Sequence, residues 1–206
     1  MREFVYFSEN AVTNGRFDTR ELLEAGRMDL VCQVMMNAFL LSRKLREDVK
    51  LHLVLYGKPT PPRHITIELK TEKGIPLTGR AVGSIDIKEK DLAELIKKVL
   101  NKYEKGKKVE VFEGISIEKN DFFRIIEEML DEGRKIYLLE RKGKNIREEE
   151  ISENPVFIIG DNDGIPKRVL KRLKKLVTPL SLGKKVYHAS QVINIINYEM
   201  DIKELF

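Results

Sequence analysis

Val156-Phe157-Ile158-Ile159-Gly160-Asp161-Asn162-Asp163-Gly164 is a short apolar run closed by a polar loop between two glycines. Four consecutive apolar residues are too few for a helix or a membrane span. Bounded by turn formers, they read as a buried strand over Val156 to Ile159. Downstream, Pro166 stands where proline favours the first turn of a helix, which runs to about Lys175. Thr178 to Leu180 is short and extended, and a final helix covers about His188 to Met200. Upstream, Lys135 to Leu139 is another strand, followed by a charged, hairpin-like excursion around Lys142-Gly143-Lys144-Asn145.

The same alternation continues toward the N-terminus. Arg2 to Phe7, Lys50 to Tyr56, Ile65 to Leu69 and Val109 to Phe112 read as strands. Leu30, Val34, Ala38 and Leu41 recur at helical spacing within about Asp29 to Ser42. Leu92, Leu95, Ile96 and Val99 do so within Lys88 to Tyr103. A further helix spans about Asp121 to Glu132, with Asn120 the expected N-cap and Gly133 the C-cap. Asn14-Gly15 marks a turn, and Pro59, Pro61 and Pro62 demand a rigid loop. Strands alternating with helices define an α/β fold with a largely parallel sheet. With no repeat, low-complexity tract or linker, residues 1–206 read as one domain.

Composition narrows the function classes. The 206 residues are 42% hydrophobic, enough for a packed core, and 34% charged, with a net charge of +5. That excess permits a polyanionic partner without demanding one. Lys- and Glu-rich surfaces with few glutamines are common in heat-adapted proteins. Cys32 is the sole cysteine, so no internal disulfide exists and a reducing, cytoplasmic compartment fits. No segment reads as a signal peptide or a membrane span, and no membrane partner is expected.

Standard chemical motifs are missing. His52, His64 and His188 are scattered, and no metal site is expected. Asp161-Asn162-Asp163-Gly164 fails as a calcium loop, because its sixth position is Pro166. There is no Walker loop, no G-x-G-x-x-G and no G-x-S-x-G. What remains are three loops at carboxyl ends of strands, where open α/β sheets bind ligands. They follow Leu138-Leu139-Glu140, Ile159 (Gly160 to Gly164) and Leu180 (Ser181-Leu182-Gly183). Singly, each is an ordinary turn.

Together and in order, these segments resemble the archaeal tRNA pseudouridine-54 N1-methyltransferase family, a branch of the SPOUT superfamily. The likeness runs from Val156–Asp161 through Leu180-Ser181-Leu182-Gly183 to Tyr187-His188-Ala189-Ser190-Gln191-Val192-Ile193. It includes Arg16-Phe17-Asp18-Thr19, Gly26-Arg27-Met28-Asp29-Leu30-Val31-Cys32, Asn37-Ala38-Phe39 and the block Leu53 to Pro62. From Gly74 to Ile151 it is one of layout. The resemblance implies a SPOUT-type sheet flanked by helices, a C-terminal deep trefoil knot, and a homodimer. It implies S-adenosylmethionine as cofactor and tRNA as substrate. Carried onto this chain, the cofactor would meet backbone around Leu138, Leu139, Gly160, Leu180, Leu182 and Gly183, with Asp161, Ser181 and Val192 beside them. Val192 departs from the family, which often has Cys there.

The methyl acceptor would be N1 of pseudouridine, whose proton must leave. A carboxylate accepting a hydrogen bond from the base would orient it and assist proton loss. Asp18 is the first candidate and Asp29 the second, with Arg16 and Arg27 available for phosphate or for charge on the base. Against this, Asp29 before an apolar helix also reads as its N-cap, and His188 as a solvent-facing helix start. Tyr198 and Phe206 read as interface or core. Lys184 and Lys185 are either phosphate contacts or a solvated pair. The rival functions are a ribosomal RNA pseudouridine N1-methyltransferase, a non-catalytic RNA-binding module on the same fold, and a generic nucleotide-binding α/β protein.

Overall fold

A computed structural model describes residues 1–42, 44–69 and 87–203; Phe206 lies outside them. Among the described residues, eight strands and five helices alternate. They are β1 (Arg2–Ser8), α1 (Met28–Phe39), β2 (Val49–Leu55), β3 (Arg63–Glu68), α2 (Glu89–Asn101), β4 (Val109–Phe112) and β5 (Ile115–Glu118). Then follow α3 (Phe122–Asp131), β6 (Ile136–Asn145), β7 (Val156–Gly160), α4 (Lys167–Leu173), β8 (Thr178–Ser181) and α5 (Ala189–Lys203).

All strands join one sheet in the order β4-β5-β3-β2-β1-β7-β6-β8. The expected parallel sheet describes only half of it. Strands β2, β1, β7, β6 and β8 are mutually parallel, whereas the β2–β3, β3–β5 and β4–β5 pairings are antiparallel. Loop length gives the reason for the β2–β3 and β4–β5 pairings. A parallel neighbour needs a crossover of about a dozen residues or more, while β2 and β3 are joined by 56–62 and β4 and β5 by 113–114. The strand β5 is not evident from sequence, because its four residues, Ile-Ser-Ile-Glu, resemble any short polar-apolar stretch.

Strand alternation sends side chains to two cores. Phe4, Tyr6, Leu51, Leu53, Tyr137, Phe157 and Ile159 face α1, α2 and α5. Val5, Phe7, Val54, Leu138, Val156 and Ile158 face α3 and α4. β1 is buried along its whole length. Cys32 is buried in the first core, and burial pushes its thiol up to about 12, so it is a packing residue. Helix α3 is capped by Asp121, whose carboxylate accepts from the Phe123 amide at 2.9 Å. Asn120, the expected cap, instead donates its side-chain amide to Glu128. The C-cap is Glu132, one residue before Gly133.

The C-terminal strands have an irregular register that matters for the site. Leu180 of β8 pairs with Leu139 of β6 and again, past a bulge, with Lys144. The excursion expected around Gly143 is therefore part of β6. A Cβ on Gly143 would lie 2.6 Å from the Leu180 Cα, so only glycine permits this approach. Ile146 N donates to Ser181 O at 3.0 Å and Ser181 Oγ to Arg141 O at 3.2 Å. Residues 139–146 thus contact Leu180 and Ser181 on both sides of the bulge.

Candidate functional site

The sheet's direction of winding changes at β1 and β7. The chain moves from β1 to β2 on one side, whereas β7, β6 and β8 lie on the other. Ligands in open α/β sheets bind beyond the strand carboxyl ends at such a point. Here the loops after β1 and β7 are locked together. Asp161 accepts from Ser8 Oγ (3.3 Å) and from the Glu9 amide (3.0 Å), and Asn10 donates to Asp163 (3.2 Å). Asp161 is therefore a buried brace across the crevice. Gly160 packs its backbone against Gly164 and Ile165, so its role is a tight turn.

Beside this brace the chain passes through two consecutive left-handed residues. Gly26 (φ 67°) abuts the Asn10 carbonyl, and Arg27 follows in the left-handed region (φ 66°, ψ 41°). Among the described residues, Arg27 alone of the non-glycines has positive φ. Such strain costs roughly 1 kcal/mol or more and concentrates at functional sites. It turns the Arg27 guanidinium back onto Asp29, with Nε and Nη2 each 3.0 Å from a carboxylate oxygen. Asp29 is not the N-cap; that position is Arg27, and no side chain caps the helix. Beneath them the Tyr6 hydroxyl is wholly buried without a hydrogen-bond partner. Burial, then the charges of Asp161 and Asp29, push its pKa well above the usual range.

Asp18 and Arg16 occupy a different setting. Asp18 accepts from the Arg20 amide (2.9 Å) and receives Arg20 Nη2 at 2.8 Å. The Arg20 hydrogen bonds hold its carboxyl well below the usual range. Its neighbours are anchored to α2: Lys97 Nζ donates to Phe17 O, and Thr19 Oγ1 to Glu94. Arg16 is exposed, and its amide closes the Asn14 turn. The second-choice carboxylate, Asp29, thus sits at the strand switch, and the first, Asp18, lies in a loop anchored against α2.

The third feature is a cleft of about 120 Å³ lined by Leu139, Glu140, Arg141, Leu182, Gly183, Lys185, Val186, Tyr187 and Val192. Of the nine anticipated cofactor residues it gathers Leu139, Leu182, Gly183 and Val192. Leu138 and Leu180 turn their side chains into the cores. Ser181 Oγ holds the turn, accepting from the Gly183 amide at 3.1 Å. Sequence alone assigns five cleft residues no cofactor role: Glu140, Arg141, Val186 and Tyr187, and Lys185, which reads as a phosphate contact or a solvated charge. The walls are apolar and the polar groups few, as in small-molecule sites generally. Leu139, Leu182, Val186 and Val192 suit a flat base. Arg141 and Lys185 suit a carboxylate. Glu140 is held by Lys174 at 2.5 Å. These groups fit S-adenosylmethionine, which carries an adenine at one end and an amino acid at the other.

His188 precedes α5, its amide bonded to Gln191 Oε1 at 3.0 Å, and is exposed, as expected of a helix-start residue facing solvent. Tyr198 is 59% exposed. Among the described residues no group of three His, Cys, Asp or Glu is placed to hold a metal ion, and no helix is long and apolar enough to cross a membrane.

The whole-chain fold is shared with a solved structure of Archaeoglobus fulgidus Nep1 bound to S-adenosylhomocysteine (TM-score 0.59, 14% identity, covering 100% of this chain and 99% of that one). At that identity the likeness is one of fold. Residues 1–205 match the family described as "Putative SAM-dependent RNA methyltransferase", and the chain belongs to it. Full-length relatives include proteins named tRNA (pseudouridine(54)-N(1))-methyltransferase. That of Thermococcus kodakarensis is 33% identical, over 98% of this chain and 99% of its own. That of Methanococcus aeolicus is 34% identical over 100% of both.

Proposed function

We propose that this protein transfers the methyl group of S-adenosylmethionine to N1 of pseudouridine 54 in tRNA, in the cytoplasm. The carrying observation is the conjunction of full-length kinship to enzymes so named with an amphipathic cleft at the strand ends. Bound there, the cofactor supplies an already activated methyl group. The protein's task is then to position the base and let its N1 proton leave. Leu139, Leu182, Val192, Gly183 and the backbone of 139–141 would hold the cofactor's adenine, and Arg141 and Lys185 would take its carboxylate.

Asp29 is the carboxylate that accepts the N1–H. It stands over β1, two strand positions from β6 and the cleft. Neighbouring strands are spaced closely enough that a base lying across β7 reaches both. Each Asp29 oxygen accepts one bond from Arg27 and keeps a lone pair for the base. Arg27 fixes the carboxylate's direction and balances charge on the base as the proton departs. Asp18 and Arg16 lie outside the reacting centre.

The double pairing of Leu180 supports a further reading: the chain closes a trefoil knot, with β8 threaded past the loop 139–146. Val186, Tyr187 and Tyr198 leave exposed apolar surface at the C-terminal unit. Such surface supports a homodimer. Analytical ultracentrifugation tests that state; a monomer at micromolar concentration contradicts it. The activity is tested by methyl incorporation into tRNA and into ribosomal RNA fragments, both containing pseudouridine. Label in the ribosomal fragment alone overturns the tRNA assignment.

A further inference from the structure

The net charge of +5 is distributed very unevenly. The 35 residues 164–198 contain eight Lys or Arg and no Asp or Glu, while the other 171 carry 30 basic and 33 acidic residues. The whole positive excess therefore sits in the segment that forms α4, β8 and most of α5. Within it, Arg172 is committed to Glu127 and to the Phe123 ring, and Lys174 to Glu140. Lys167, Arg168, Lys171, Lys175, Lys184 and Lys185 are exposed, and among the described residues none makes an ion pair or a side-chain hydrogen bond. Lys167, Lys171 and Lys175, four residues apart, form one row along α4 and the turn after it. Leu173, Val169 and Leu170 hold the opposite side of α4 against the sheet.

The geometry points to this row as a docking surface for the phosphate backbone of the substrate tRNA, continuous with the cleft. Two links tie it there. Glu140, held by Lys174, lines the cleft, and so does Lys185. Keeping six like charges unpaired on one short segment is unfavourable in isolation, and a polyanion relieves it. A stem laid on α4 would present its base toward the loops at the ends of β7 and β6. The inference rests on the tRNA reading above, but its binding test does not need the reaction.

The experiment compares the full-length native protein with the triple variant Lys167→Gln/Lys171→Gln/Lys175→Gln. A control triple variant, Lys98→Gln/Lys102→Gln/Lys105→Gln, removes equal charge from exposed positions on or just beyond α2, on the other face of the sheet. Binding of a tRNA transcript is measured across a KCl series, with S-adenosylhomocysteine binding as the check on folding. Loss of three phosphate contacts lowers the slope of log affinity against log salt by about 2 to 3. It also raises the KM for tRNA roughly tenfold or more, leaving kcat and cofactor affinity unchanged. The control keeps the native slope. Equal slopes for the two triple variants, or native protein that binds tRNA without salt dependence, would overturn the proposal. A reduced slope without methyl transfer would keep the surface and sink the reaction; normal transfer with an unchanged slope would do the reverse.

Discussion

Acidification should destabilise this protein through one buried imidazole. Across four adjacent strands, Glu3 Oε2, His52, His64 and Glu118 Oε1 form a chain of contacts at 2.9, 2.9 and 3.2 Å. Thr66 adds a contact to His64, Arg134 pairs with Glu3 at 2.6 Å, Lys108 faces Glu118 at 3.6 Å, and Lys50 lies near both Glu3 and His52. Burial holds His52 down to about 4 from 6.5, despite its bond to Glu3. Burial raises the Glu3 carboxyl, yet the His52 bond, the positive neighbours and Arg134 bring it to about 2. Above pH 6.5 His52 is neutral whether folded or not. Below that, the unfolded chain takes up the proton first, so stability falls with pH until the folded pKa is reached. Between pH 7 and 4.5 the loss from His52 is on the order of 2 kcal/mol, and Glu3 adds to it at the lower end as the unfolded chain's carboxyl takes up protons. Guanidinium unfolding at both pH values reads this directly. His52→Gln keeps a donor toward Glu3 but no group titrating in that range. The variant should therefore lose about 2 kcal/mol less than the native chain over the same interval. Identical pH dependence in the two proteins would refute the buried neutral histidine.

Asp29→Asn should lower kcat by about 10²-fold or more while leaving S-adenosylhomocysteine affinity unchanged, because general-base assistance contributes roughly that factor. Asp18→Asn, in the loop packed against α2 and paired to Arg20, should change kcat by less than about fivefold in the same assay, since the group it alters lies away from the proton being moved. Gly143→Ala places a methyl against the Leu180 backbone. Overpacking of this kind should cost about 2 kcal/mol or more, seen as a lower denaturation midpoint. Val192→Trp fills the cleft beside Leu139 and Leu182; calorimetry should show cofactor binding lost with the fold retained by circular dichroism.

Much of this architecture is legible in the sequence where periodicity is strong. Val156–Gly160, α1 and the amphipathic α2 lie within a few residues of their expected bounds. The antiparallel half was not legible, because strand direction depends on which strands become neighbours and how long their connection is. The site divides the same way. Gly183 and Leu182 follow from the order of the loops, but alternation along a strand decides that Leu139 faces the cleft and Leu138 the core. Arg27 and Asp29 are two apart, a spacing that cannot meet on a regular helix; they meet because Arg27 adopts a left-handed backbone. His52 and His64 are brought together by the β2–β3 register, which no local pattern encodes.

The most direct test of the account is methyl transfer from labelled S-adenosylmethionine to two tRNA transcripts that differ only in carrying uridine or pseudouridine at position 54. Label on the pseudouridine transcript alone, recovered as the N1-methylated base, is the predicted result. Equal labelling of both transcripts, or none on either while the protein binds S-adenosylhomocysteine, would contradict it.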